Sequence, residues 1–192
     1  MGEPKQLLRC GGETLLARAV RDALGSRCRP VVVVLGAHAK ALRGEVAAEA
    51  RVVFNPEWAE GMASSIRSGL AALEAATDGK AHAAVLTLCD QPLVTGEVIN
   101  RLLAAYEAGR PPLVASEYEA GGERTRGVPA LFSRALFPEL MALRGAEGAK
   151  RVITRHSSRA TFISAPEAAF DVDTPEDYRL LKRDAADDSE AG

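Results

Sequence analysis

Ala83-Ala84-Val85-Leu86-Thr87-Leu88-Cys89-Asp90-Gln91-Pro92 decides the fold. Its first half is a short apolar run between polar flanks, the pattern of a strand covered on both faces, as parallel strands are. Its second half ends that strand on a carboxylate, and Pro92 removes a backbone donor and stops it. In open α/β sheets ligands gather in the crevice beyond the carboxyl ends of the strands, so Asp90 is placed to hold Mg²⁺ against the phosphates of a nucleotide. An aspartate that caps the following turn is the alternative.

Outward from this strand, helical and extended patterns alternate. Upstream, Leu15, Leu16, Ala19, Val20, Ala23 and Leu24 recur at three-to-four spacing after Thr14 and before Gly25, predicting an amphipathic helix over 14–25. Pro30 opens Val31–Leu35, read as a fully buried strand; an Ala-rich helix over 38–50 and a strand over 51–54 follow, stopped by Asn55-Pro56. Met62, Ile66, Leu70 and Leu73 form the stripe of a helix that starts after Gly61. Downstream, Thr95 caps a helix that turns Val98, Ile99, Leu102, Leu103 and Tyr106 inward, and 113–116 is a strand. The polar, Gly-rich stretch 117–125 reads as an exposed mobile loop, 128–132 as extended chain, 133–143 and 146–155 as helices, 161–164 as a strand and 170–172 as extended. Thr174-Pro175-Glu176-Asp177 combines an N-cap, Pro at N1 and a carboxylate at N3, a strong helix start. Such alternation predicts a three-layer α/β fold with a mostly parallel sheet. It forms one domain over 1–182, and the acidic, aperiodic 183–192 reads as a disordered tail.

Composition narrows the partners. With 24 basic and 26 acidic residues and a net charge of -2, the chain has no basic block to attract nucleic acid or an anionic membrane. No apolar run approaches the roughly 18 residues of a spanning helix. Cys10, Cys28 and Cys89 lack paired or zinc-type spacing, which predicts reduced thiols and a cytoplasmic location. His38, His82 and His156 show no Ser or Cys partner at a recognisable spacing.

Further segments carry candidate chemistry. Gly61-Met62-Ala63-Ser64-Ser65 sets small residues and hydroxyls at a helix start, suited to an anion or a polar ligand edge, although a helix cap uses the same residues. Asp171 and Asp173 share one side of an extended segment and with Asp90 could complete an oxygen ligand set for Mg²⁺; a solvated acidic loop is the alternative. Lys5 by itself is a surface lysine, and Arg124, Arg126 and Gly127 read either as a phosphate contact or as a charged loop.

Taken in order, Pro4-Lys5-Gln6-Leu7-Leu8, Thr14-Leu15-Leu16, Asn55 through Ile66, Cys89-Asp90-Gln91-Pro92, Arg126 through Phe132 and Asp171 through Asp177 resemble the molybdenum cofactor cytidylyltransferase group of MobA-like NTP transferases. The resemblance runs from about Gly2 to Lys182. It implies a Rossmann-like enzyme that passes the nucleotidyl group of CTP, or of GTP, to a molybdopterin-type acceptor with Mg²⁺ and release of pyrophosphate. Carried over by residue, Lys5 neutralises phosphates; Gly61, Ser64, Ser65, Gln91 and Pro92 join it in nucleotide binding; Asp90, Asp173 and Asp171 hold the metal; and Arg126, Gly127 and Pro129 shape the acceptor side. A non-catalytic partner that binds cofactor or a molybdoenzyme apoprotein is the rival implication. Many members have a histidine between the glycine and proline of the Gly-x-Pro segment, where this chain has Val128. Members also carry a strand and a Gly-rich phosphate loop before the position of Met1. The expectation is therefore an upstream start, with Val31–Leu35 and Ala83–Leu88 left facing a gap in the middle of the sheet.

Overall fold

The computed structural model describes residues 4–190, with side chains as far as 183. A hairpin of β1 (Arg9–Cys10) and β2 (Glu13–Thr14) turns through Gly11 and Gly12 and delivers Thr14 to the start of α1 (Leu15–Gly25). Thr14 caps this helix, its hydroxyl accepting from the Ala17 amide at 3.1 Å. Then follow β3 (Val32–Leu35), α2 (Ala39–Leu42), β4 (Arg51–Phe54), α3 (Met62–Ala76), β5 (Ala83–Leu86), α4 (Gly96–Gly109), β6 (Leu113–Ala120) and β7 (Glu123–Ser133). α5 (Phe137–Met141), α6 (Ala149–Arg155), β8 (Ala160–Ser164) and α7 (Pro175–Glu190) complete the chain.

β3 and β4 pair in parallel, and a second sheet runs in the order β5-β7-β6-β8. Within it β5, β6 and β8 point one way and β7 runs against them, so strand direction is mostly parallel. Helices cover both faces. Alternation along β6 sends Leu113 and Ala115 to a cluster with α3, α5 and α6, and Val114 to Leu102 and Tyr106 of α4. Alternation along β3 does the same: Val33 and Leu35 face α1 and α2, while Val34 meets α3 so closely that a Cβ on Gly69 would stand 3.0 Å from its methyl. This is the expected three-layer, Rossmann-like α/β architecture.

Several elements depart from the sequence reading. Val32, Val33 and Val34 are half-buried rather than fully buried, because β3 has a neighbour on one side only. No ladder joins β3 to β5 among the described residues. The predicted loop 117–125 is instead a β-hairpin, with Gly121 and Gly122 in the turn at φ 60° and 79°, values that glycine adopts without strain. Its polar composition suits strands that extend beyond the covered part of the sheet. The helix expected over 38–50 is a single turn, Ala39–Leu42, followed by a 3₁₀ turn, since Gly44 weakens the helix and Val46 turns extended to bury its side chain. The extended chain at 170–172 joins no sheet, although the Val172 amide donates to the Asp90 carbonyl at 2.8 Å. α7 continues to Glu190, into the stretch read as a tail; Ala191 and Gly192 lie outside the described residues.

Candidate active site

β5 releases the chain at Leu86, and the backbone bond from Val172 to Asp90 then fastens the segment before α7 beside it. From the other end of the sequence, a 3₁₀ turn at Lys5–Leu7 brings in an ammonium group. Lys5 Nζ donates to Asp90 Oδ2 at 2.6 Å and to Asp173 Oδ1 at 2.9 Å. Burial works against the Lys5 charge, but the two hydrogen bonds and the attraction of both carboxylates outweigh it and hold the pKa above its ordinary range. Asp171 lies on the rim, its carboxyl raised by partial burial and by the charge of Asp90, with the Gln91 amide opposing the shift. Cys89 keeps its proton, because burial and the Asp90 charge push its thiol up to about 11. All three cysteines are free thiols.

The donor set suits a hard cation. Asp90 Oδ1 is buried and has no hydrogen-bond partner, while Asp90 and Asp173 already converge on one positive charge. Among the described residues no three His, Cys, Asp or Glu side chains gather as a complete metal cage. The expected set of Asp90, Asp173 and Asp171 is therefore not brought together as three ligands; a Mg²⁺ site of one or two carboxylates completed by substrate phosphates would need only Asp90 and Asp173.

A second group of expected residues lies at the start of α3. Ala63 and Ile66 belong to the same hydrophobic cluster as Leu86, Ala130 and Val128. Asn55 is fully buried; its Nδ2 donates to Ser64 Oγ at 2.8 Å and Ser65 Oγ at 3.2 Å, and its Oδ1 accepts from the Glu57 amide. Ser64 in turn donates to the Gly61 carbonyl at 2.8 Å, and the Ala63 amide is taken by the Gly145 carbonyl. These bonds are cap and packing bonds; Ser65, half-buried, is the hydroxyl of the pair that reaches the surface. Gly61 sits at φ 122°, and a Cβ there would come 2.5 Å from the Gly145 carbonyl oxygen. The 145 loop is clamped further by Glu60, which accepts from the Gly145 amide and is held down to about 2 by its hydrogen bonds with Arg67 and Gly145.

On the expected acceptor side the long hairpin supplies the residues. Between Ala115 and Ser116 the β6–β7 register jumps, skipping Val128 and Pro129, and Ser116 Oγ fixes this bulge by donating to the Pro129 carbonyl at 2.7 Å. Gly127 and Pro129 are buried, which leaves Val128 as the half-exposed member of the three. Arg126 is committed to Glu117 at 2.9 Å and lies over the Phe162 ring at 3.9 Å. Gln91 and Pro92 are buried, with Gln91 Nε2 donating to the Ala168 carbonyl. Sequence reasoning missed Asn55 and Tyr118. The first carries no signal beyond a strand-ending Asn-Pro. The second stands in what reads as a loop, yet its hydroxyl would meet a Cβ on Gly127 at 2.9 Å.

The family model described as the MobA-like NTP transferase domain matches residues 1–160. The chain belongs to this family. It is an enzyme of nucleotidyltransferase type. Nicotine blue oxidoreductase of Paenarthrobacter nicotinovorans is 34% identical over 93% of this chain and 88% of its own length. Purine catabolism protein PucB of Bacillus subtilis is 28% identical over 95% and 90%. Rv0371c of Mycobacterium tuberculosis H37Rv, solved as a complex with manganese, is 29% identical with a TM-score of 0.76 over 95% of this chain and 93% of that one. Within this MobA-like NTP transferase Lys5, Asp90 and Asp173 are joined by two ion pairs beyond the end of β5.

Proposed function

We propose that this MobA-like NTP transferase moves CMP from CTP to a molybdopterin-type acceptor in the cytoplasm, with Mg²⁺ as cofactor and pyrophosphate as the product that leaves; GTP is the alternative donor. The observation that carries the reading is the meeting of Lys5, Asp90 and Asp173 beyond the carboxyl end of β5. In such transfers an acceptor phosphate attacks the α-phosphorus in line, which demands positioning and dispersal of charge rather than a protein nucleophile. Asp90 and Asp173 would hold Mg²⁺, which would supply part of that charge. The Lys5 ammonium, which donates to both carboxylates, would supply another part to the triphosphate. Asp90, fixed through its backbone carbonyl by Val172, keeps its carboxylate in register with the crevice. The Gly127–Pro129 bulge offers Val128 to the acceptor, an apolar contact suited to a flat ring. Ser65 and Gly61 border the nucleotide.

A non-catalytic partner in molybdoenzyme maturation, binding cofactor or apoprotein, is the rival. The observation on its side is that Lys5 pairs with one oxygen of each carboxylate. Calorimetric titration with Mg-CTP and Mg-GTP, followed by a pyrophosphate-release assay with acceptor, separates the two. Saturable CTP binding, lost in Asp90→Asn with the fold intact, supports the transferase. Absence of binding by either nucleotide to the folded chain overturns it in favour of the partner.

A further inference from the structure

A cavity of about 850 Å³ opens on the side of the molecule where α2 passes over the outer strand β4. Its floor is Leu35 and Val52, neighbours on one face of the two-stranded sheet. Two aromatic side chains stand at its wall and are far from covered: Phe54 is 57% exposed and Trp58 48%. Trp58 is seated against Gly36, where a Cβ would come 2.5 Å from the Trp58 Cβ, so only glycine lets the ring sit there. Around the mouth lie His38, Lys40 and Arg43, all exposed. None of the three is ion-paired with a carboxylate among the described residues, and no Asp or Glu lines the cavity. His38 itself is held at φ 59°, a left-handed conformation uncommon for a residue with a side chain. No residue of the Lys5, Asp90 and Asp173 site takes part.

Two uncovered rings beside uncompensated positive charge select for a particular chemistry. Ligand sites of this size pair an apolar body with a few polar groups that orient the ligand. Exposed aromatic faces gain by stacking a flat ring, and Lys or Arg gains by meeting an anion that the protein does not itself provide. A neutral hydrocarbon would leave the cations unused, and a bare anion would leave the rings wet.

We propose that this cavity is a second ligand site, distinct from the nucleotidyl-transfer crevice, that binds a planar aromatic or heteroaromatic anion. The ring stacks between Phe54 and Trp58, and its charged group lies toward Lys40 and Arg43. Because the site shares no residue with the crevice, it stands or falls independently of the transfer reaction.

Trp58 is the sole tryptophan of the chain, so its indole N–H resonance reports on this site alone. The full chain is titrated with 1-naphthyl phosphate, with the uncharged 1-naphthylmethanol, and with inorganic phosphate while that resonance is followed. The expected result is a saturable shift with naphthyl phosphate, an affinity about five- to tenfold weaker for the alcohol, as two half-open charge contacts would give, and no saturable shift with phosphate. Lys40→Ala combined with Arg43→Ala should bring naphthyl phosphate down to the affinity of the alcohol. Phe54→Ala should abolish binding of both ring compounds, circular dichroism confirming the fold. Equal affinity for the charged and uncharged rings overturns the proposal. So does the absence of a saturable shift, or a shift that follows protein concentration and dimerisation without ligand, which would make this face an interface between copies.

Discussion

The β3-β4 sheet and the β5-β7-β6-β8 sheet both contain apolar runs and end up very differently buried. Leu113, Val114, Ala115 and Ser116 of β6 are all inaccessible, flanked by β7 and β8 and covered on both faces. Val32, Val33 and Val34 of β3, a more hydrophobic run, are only half-buried, and β4 beside them exposes Phe54. A strand's composition measures what it is able to bury. Its neighbours decide what it does bury. Consequently the β5-β7-β6-β8 unit carries most of the core, while β3 and β4 lean on α1, α2 and α3 and leave surface over for a ligand.

The largest test of this contrast is Phe132→Ala, which empties a fully buried position of β7 and should cost about 3–5 kcal/mol in chemical denaturation. A loss below about 1 kcal/mol would break the comparison. Gly61→Ala comes next. It places a Cβ against the Gly145 carbonyl at a positive φ and should cost about 2–3 kcal/mol through the clamp that joins α3 to the 145 loop; an unchanged melting temperature would show that the loop yields freely. In the two-stranded sheet, Val33→Ala should cost only about 1 kcal/mol, since its methyls are half wet. If it matches Phe132→Ala, the two sheets are one energetic unit.

The crevice between the sheets adds smaller effects of opposite sign. Lys5 has its pKa raised on folding, so its stabilisation is complete below the ordinary lysine range near 10.4 and fades as pH rises above it. Lys5→Met should therefore lose about 1 kcal/mol at pH 8, with the gap to the parent closing in denaturation curves taken progressively above that range; a gap constant with pH would remove the ion pairs from the account. Asp171 is the converse, its carboxyl raised on folding, so its ionisation opposes folding above its folded pKa and relaxes as pH falls through it. Asp171→Asn should raise stability slightly at pH 7, by less than about 1 kcal/mol for a group so exposed to solvent, and with it the melting temperature, and not below about pH 3.5. A lower melting temperature at pH 7 would show that the carboxylate is held by a partner.

Much of this was legible in the chain. Thr14 caps where its spacing says, and Lys5, Asp90 and Asp173, three charges at remote positions, do meet; β5, however, stops at Leu86 and Asp90 stands in the turn beyond it rather than at the strand's end. What escaped the reading shares one cause. The 117–125 hairpin looks like a loop because its strands project past the covered sheet and have no core to alternate against. Ser64 reads as a ligand hydroxyl and is consumed by a buried asparagine nine residues earlier. Trp58 reads as part of a motif, and its exposure depends on Gly36 across the sheet end. In each case the outcome depends on what surrounds the segment in three dimensions, about which periodicity carries no information.

The lysine bridge has a temporal side as well. Its two bonds span 85 and 168 positions of the chain, so they close loops whose entropy is recovered only after the intervening structure has collapsed. Contacts of such long range belong to the end of a folding pathway. On a translating ribosome Lys5 and Asp90 are available well before Asp173 has been polymerised. A nascent chain thus holds two of the three charges of this cluster and cannot assemble the rest, which makes the completed crevice a property of finished molecules alone.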